Sequence, residues 1–255
     1  MSRLMLDGIT KRFGGVVAVD NVTAEIGADP VTAIIGPNGA GKTTLFNLIF
    51  GILMPDDGSV HVDDVDATRL RPYQMAELGL ARTFQNLELF AGMTVADHLR
   101  VGRHRWGRAG VLDAVLRLPR HRREEADTTI FVEILQDRLG LTTHRSRPAD
   151  SLPYGLQRRV ELGRALASDP SMILLDEPLA GLNRVESRVV SGIIREVADS
   201  GMVVVLVEHD MHEVMRISDR VLVLDQGGLI ADGSPAAVRS EQQVVDAYLG
   251  VEDEE

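Results

Sequence analysis

Short unbroken apolar runs separate longer amphipathic stretches along this chain, and the two patterns predict different elements. Val31-Thr32-Ala33-Ile34-Ile35 is apolar and β-branched almost throughout, as in a strand buried on both faces. Met172-Ile173-Leu174-Leu175, Met202 to Val207 and Val221-Leu222-Val223-Leu224 repeat the pattern, with helix-like segments between them. Such alternation predicts a parallel sheet covered by helices. Before Val31 the runs are shorter and mixed with polar residues, as in Val16-Val17-Ala18-Val19 and Val22-Thr23-Ala24-Glu25-Ile26, which predicts antiparallel strands. From about Val95 to Ser168 the helical period takes over. Ala126, Ile130, Ile134 and Leu135 are expected on one face of a helix from about Glu124 to Leu139. The pattern therefore predicts an α/β fold with a parallel-sheet core, an N-terminal antiparallel β subdomain and a helical subdomain inserted at about residues 90–168. Together these form a single domain over 1–250, followed by an acidic tail at 251–255.

Composition narrows the class. A hydrophobic share of 44% and a charged share of 25% are ordinary for a globular domain in water. No window approaches the roughly 18 uninterrupted apolar residues that a membrane-spanning helix needs. The opening Met1-Ser2-Arg3-Leu4-Met5-Leu6-Asp7 does not read as a secretory signal. Cysteine is absent, which excludes disulfides and thiolate metal sites and fits a reducing cytosol. A net charge of -11 argues against general affinity for nucleic acid or anionic lipid. One segment departs from that balance, with Arg100, Arg103, His104, Arg105, Arg108, Arg117, Arg120, His121, Arg122 and Arg123 close together. A solvated helical face accounts for such a run, and contact with a permease or lipid headgroups is the sharper alternative.

Chemistry enters after the first buried run. Gly36-Pro37-Asn38-Gly39-Ala40-Gly41-Lys42-Thr43-Thr44 follows Ile35 directly and leads into the apolar-periodic Leu45, Leu48 and Ile49. This is a P-loop in its proper context of strand, glycine-rich turn and helix. Backbone N–H groups converge there on phosphate oxygens, and the positive end of the helix dipole points at the same place. Lys42 is expected on the β- and γ-phosphates and the Thr43 hydroxyl on Mg2+. Lys11 and Lys42 are the only lysines in an otherwise arginine-using chain, which suits a compact charge on phosphate. Further along, Met172-Ile173-Leu174-Leu175-Asp176-Glu177-Pro178 is an apolar strand ending in two carboxylates. In P-loop ATPases such an aspartate supports Mg2+ and an adjacent glutamate polarises the attacking water, which assigns Asp176 to the metal and Glu177 to catalysis.

With these two motifs in order, the chain resembles the nucleotide-binding subunit of ABC transporters from end to end. The resemblance implies a P-loop NTPase (RecA-like) core and ATP and Mg2+ as ligands. Phe13, in Lys11-Arg12-Phe13-Gly14, looks like the aromatic that stacks on adenine. Gln85, in Arg82-Thr83-Phe84-Gln85-Asn86, looks like the glutamine that contacts Mg2+ and the attacking water and couples the site to a permease. Ala180-Gly181-Leu182-Asn183 stands where the D-loop belongs, and His209 resembles the switch histidine that contacts the γ-phosphate. The stretches Gly79 to Leu87, Glu208 to Met211, Ile217 to Arg220 and Ala247 to Gly250 are similar to those of branched-chain amino-acid importers and their urea-type relatives, and the basic segment resembles a feature of the larger ATPase in those systems. That likeness implies membrane permease subunits as partners, a solute-binding protein acting indirectly, no nucleic acid, and a peripheral place on the cytoplasmic face of the membrane. Two alternatives remain open: a nucleotide-gated ABC module without transport, and a subunit that binds ATP but scarcely hydrolyses it.

The family's signature, Leu-Ser-Gly-Gly-Gln or a variant with an aromatic third residue, is here Leu152-Pro153-Tyr154-Gly155-Leu156. Pro153, Tyr154 and Gly155 are the residues that would face ATP held by a partner cassette. Proline supplies neither the serine hydroxyl nor a backbone N–H, while Gly155 permits close approach of backbone to phosphate. The expectation is a heterodimer with a second ABC ATPase, in which one composite site is weakened. A homodimer is the alternative.

Overall fold

The computed structural model describes residues 2–85, 87–103 and 119–249. They fall into two units. The first comprises the described residues of Met1–Arg82, Ser171–Ala180 and Ile194–Glu255, and the second those of Thr83–Pro170 and Gly181–Ile193. In chain order the elements begin with β1 (Leu4–Phe13), β2 (Val16–Ile26), β3 (Val31–Ile35), α1 (Lys42–Ile49), β4 (Asp57–Val62), β5 (Val65–Asp66), α2 (Pro72–Glu77) and β6 (Leu80–Arg82). Helices α3 (Val95–Arg103), α4 (Pro119–Arg138) and α5 (Tyr154–Leu166) follow. The chain then runs through β7 (Met172–Asp176), α6 (Arg184–Asp199), β8 (Val203–Val207), α7 (Met211–Ile217), β9 (Arg220–Asp225), β10 (Gly228–Gly233), α8 (Pro235–Arg239) and α9 (Gln242–Leu249).

The first unit holds two sheets. The larger has the order β10-β9-β3-β8-β7-β6. In it β3 runs parallel to β8 and β9, β7 runs parallel to β8 and β6, and β10 closes one edge antiparallel to β9. Every residue of β3, β7 and β8 is buried, which is why these strands read as unbroken apolar runs. The smaller sheet, β2-β1-β4-β5, is antiparallel. Its two expected apolar runs prove to be one strand, β2, which bends where Asn21 takes a positive φ of 49° opposite register shifts in β1. Leu4, Leu6, Phe46, Ile49, Leu174 and Val205 share one core. Burying a side chain of this size contributes about 1.5–3 kcal/mol.

In the second unit α3 and α5 pack closely, with the buried Leu99 against Gly163 and Gly102 against the Arg164 carbonyl. The buried face of α4 differs from the expected one. Leu135 is buried as predicted, but its companions are Val132 and Leu139, while Ile130 and Ile134 lie on the exposed side. Residues spaced by four advance around a helix by 40° per step, so 126, 130 and 134 drift off the stripe that 132, 135, 136 and 139 hold. Of the basic cluster, Arg100 pairs with Asp97 at 3.3 Å, and Arg103 lies 3.4 Å from Asp169 with its guanidinium 3.9 Å from the Phe131 ring centroid. His104, Arg105, Arg108 and Arg117 lie outside the described residues, as do the side chains of Arg120, His121, Arg122 and Arg123 and the whole acidic tail. No helix among the described residues is long and apolar enough to cross a membrane.

Candidate functional site

The carboxyl ends of β3, β8 and β7 lie side by side because these strands are parallel neighbours. Residues that follow them are thereby gathered at one edge of the sheet, the usual place for a ligand in such folds. After β3 the chain turns through Gly36 at φ 152°, where a Cβ would come within 2.1 Å of the Leu224 carbonyl oxygen. Gly41, at φ 98°, is equally constrained, since its Cβ would meet the Ala18 carbonyl oxygen at 2.2 Å. Between them Pro37, Asn38, Gly39 and Ala40 carry the loop round, closed by a hydrogen bond from the Ala40 N–H to the Pro37 carbonyl at 3.2 Å. Helix α1 starts at Lys42, and its first-turn N–H groups, those of Lys42, Thr43 and Thr44 among them, have no carbonyl one turn earlier to bond. The Lys42 ammonium reaches back over the loop, donating to the Gly36 carbonyl at 2.7 Å and the Pro37 carbonyl at 2.8 Å. Burial lowers its pKa, and the nearby Glu177 carboxylate works against that shift. The Tyr248 hydroxyl, from α9, is buried beside the Gly36 backbone.

Asp176 closes β7 and is buried against Arg82, whose Nη2 lies 2.9 Å from its Oδ2. Arg82 also donates from Nη1 to Asn47 Oδ1 at 2.7 Å and lies over the Phe46 ring, 5.6 Å from its centroid. The next residue, Glu177, has a positive φ of 47°, a conformation that side-chain-bearing residues enter under constraint. Two hydrogen bonds hold it there: its N–H donates to the Val207 carbonyl at 3.0 Å, and its carbonyl accepts from the Ala180 N–H at 3.2 Å. His209 is exposed just beyond β8, immediately before Asp210, whose side chain caps α7. Between β8 and His209 stands a residue without an assigned role in the sequence, Glu208. It is 1% exposed, accepts from the Leu179 N–H at 2.8 Å through Oε1, and from the His209 N–H at 3.3 Å through Oε2. Burial raises its pKa, opposed by those two N–H groups and by the His209 ring. One carboxylate thus braces both the turn after Glu177 and the backbone of His209. Its sequence signal was a charged residue directly after five buried ones. Phe13 ends β1 about half exposed, with the Lys11 ammonium 5.7 Å from its ring centroid.

Gln85, Pro153, Tyr154 and Gly155 belong to the second unit. Pro153 occupies the N-cap of α5 and its carbonyl accepts from the N–H groups of Leu156 at 2.9 Å and Gln157 at 3.1 Å. No side chain caps this helix start, whereas a serine in that position would supply an acceptor contributing about 1 kcal/mol. Gln157 ties down the preceding turn through the Asp150 and Leu152 carbonyls. The Tyr154 ring lies against Gly181, and its hydroxyl accepts from Arg158 Nε at 3.0 Å. What approaches Gly155 is the Glu186 side chain, whose Oε1 would be 2.5 Å from a Cβ there. Glu186 in turn accepts from the Asn183 N–H at 3.1 Å, while Asn183 Oδ1 accepts from the Val185 and Glu186 N–H groups, so the expected D-loop residue caps α6.

Among the described residues no cluster of three or more His, Cys, Asp or Glu side chains is arranged to hold a metal ion. The oxygens at hand are the Thr43 hydroxyl, exposed in the first turn of α1, and the Asp176 carboxylate. That set fits Mg2+, which takes few protein ligands and completes its shell with phosphate oxygens and water.

A parallel sheet with a phosphate loop after its first strand and paired carboxylates two strands away defines a P-loop nucleotide-binding fold. The ABC transporter family model matches residues 19–180, and a model described as the branched-chain amino acid ATP-binding cassette transporter matches 229–254. The high-affinity branched-chain amino acid transport ATP-binding protein LivG of Escherichia coli is 39% identical over 248 residues, covering 97% of each chain. BraF of Pseudomonas aeruginosa, which carries the same description, is 39% identical over 98% of this chain and 99% of its own. A solved ATP-binding cassette of an ABC transporter in its ADP conformation superposes with a TM-score of 0.84 and 32% identity, over 98% of this chain and 99% of that one. The chain belongs to the ABC transporter family of ATP-binding cassettes, nucleotide-binding ATPases coupled to transport.

Proposed function

We propose that this chain is the ATP-hydrolysing subunit of an importer of branched-chain amino acids. It would sit on the cytoplasmic face of the membrane beneath separate permease subunits, with a solute-binding protein delivering cargo. The observation that carries the reading is the 39% identity to LivG, spread over 97% of both chains and joined by the separate match at 229–254. In this reading the phosphates of ATP take the place of the loop carbonyls as partners of Lys42, with the first-turn N–H groups of α1 beside them. Phe13 stacks on adenine. Glu177 orients water for in-line attack on the γ-phosphate, and its pull on the charge of Lys42 places it within electrostatic reach of the loop. Thr43, Asp176 and Gln85 are the residues that would hold Mg2+, which when bound would supply charge neutralisation to the phosphates. His209, with its backbone fixed by Glu208, supports the developing charge. The helical second unit is read as the signature subdomain inserted in the ATPase core.

Pro153 makes the two ATP sites of a cassette pair unequal. The start of α5 lacks both a proline N–H and a capping side chain, and losing one or two charge-assisted donors to phosphate raises the barrier by about 3 kcal/mol, about a hundredfold in rate. The partner is therefore expected to be a different cassette with a complete signature. Reconstitution of the whole transporter in liposomes tests both parts. ATP-driven uptake of leucine, abolished by Glu177→Gln, is expected. A Pro153→Ser variant should raise turnover at the weak site. Uptake that survives Glu177→Gln would refute the role of that carboxylate, and unchanged turnover with Pro153→Ser would remove the asymmetry.

A further inference from the structure

Between β6 and α3 the chain from Thr83 to Phe90 forms no helix or strand in its described residues, so its backbone polar groups need partners from elsewhere. Helix α5 supplies several. Arg158 donates from Nη2 to the Gln85 carbonyl at 3.0 Å, and Arg164 donates from Nη1 to the Glu88 carbonyl at 2.7 Å. Burial raises the pKa of Glu161, opposed by Arg158 and more weakly by Arg164 and the Phe84 backbone N–H. Arg158, Glu161 and Arg164 are spaced three apart, which sets them along one side of α5 on successive turns. Arg158 and Glu161 also pair with each other at 3.1 Å, with side chains 5% and 3% exposed. The third arm of Arg158 reaches the Tyr154 hydroxyl in the first turn of the same helix.

We propose that Arg158, held by its buried partner Glu161, is a positioning residue for Gln85, fixing the Gln85 backbone carbonyl to the helix that begins at Pro153. The glutamine that serves this subunit's own ATP and the turn offered to the partner's ATP are then parts of one rigid piece. This rests on the reading of Gln85 as a site residue. A buried guanidinium that meets a phenol, a carboxylate and a backbone carbonyl at once uses its planar fork of donors, which an ammonium cannot reproduce. The pair is more than filler, since an ion pair that only occupied volume would not need to donate to the main chain of residue 85.

Arg158→Lys keeps the charge opposite Glu161 while losing the fork. In the assembled transporter it should lower kcat about tenfold with KM for ATP changed less than about twofold. Hydrogen exchange of the Phe84 and Gln85 amides should accelerate about tenfold in the full chain, with exchange in β3 and β8 unchanged. In a Gln85→Ala background the lysine substitution should have almost no further effect on kcat, because it acts through the glutamine. Multiplicative losses, or unchanged exchange at 84 and 85, would overturn the proposal. If Gln85→Ala alone leaves turnover intact, the reading of Gln85 fails instead, and the exchange experiment still decides the clamp. Should Arg158→Lys fail to fold, Glu161→Gln serves in its place: it preserves shape while removing the ion pair that holds Arg158, kcat should fall in the same way with no further effect in a Gln85→Ala background, and losses that multiply there would overturn the proposal.

Discussion

Arg82→Met is the substitution whose consequence is most directly set by the fold. Arg82 and Asp176 lie 2.9 Å apart with both side chains 3% exposed, so removing the guanidinium leaves a carboxylate in the core with its counter-charge gone. Breaking a buried pair in this way costs about 3–5 kcal/mol, because the remaining ion keeps its desolvation penalty. The lost contact with Asn47 adds little, since that amide is only half-buried and reaches water. For a chain of this size about 1 kcal/mol moves Tm by about 2–4 °C, so a fall of about 10 °C is expected. Asp176→Asn should produce a comparable loss by stranding the arginine. The double variant removes both charges at once and should lose well less than the sum of the two single losses, with a coupling of about 3 kcal/mol in urea unfolding of the isolated chain. Losses that add to within about 0.5 kcal/mol would show that the two side chains do not depend on each other.

Glu208→Gln tests a buried carboxylate through pH. Burial raises its folded pKa above 4.5, so the stability linked to this group is complete below that value and is lost as pH rises through the raised one. The variant, which keeps an acceptor for the Leu179 N–H, should show a flatter fall in stability above pH 4.5 than the parent, and identical slopes would refute the assignment. Gly41→Ala and Gly155→Ala form a contrasting pair. At Gly41 the new methyl meets a backbone carbonyl at 2.2 Å with φ at 98°, so nucleotide binding, measured with a fluorescent ATP analogue, should be lost and stability should fall by at least about 2 kcal/mol. At Gly155 it meets the far end of the Glu186 side chain, which can rotate away, so thermal unfolding should shift by the equivalent of less than about 1 kcal/mol.

The sequence made legible those features whose cause is local. β3, β7 and β8 announced themselves because a strand buried on both faces must be apolar throughout, and the phosphate loop because its glycines and lysine are contiguous. β6 has three residues and β10 is only partly buried, so neither carries enough periodicity to read. On α4 the tighter four-residue spacing of Ile130 and Ile134 competed with the true buried stripe, and only packing decided between them.

The residues that brace the site were hidden for a different reason. Arg82 and Asp176 are 94 positions apart, and Arg158 and Gln85 are 73 apart. Asp176 and Gln85 stand out by their motifs, but Arg82 and Arg158 look like solvated surface residues until β6 pairs with β7, or until α5 meets the segment after β6. Polar groups become partners through topology, and a chain that must bury an aspartate at the end of a central strand has to bring its counter-charge from the neighbouring strand, where β6 supplies Arg82 in register with Leu174. The parallel order of the sheet therefore does more than gather loops at one edge, because it also dictates which distant residue can neutralise the carboxylate on which the site is built.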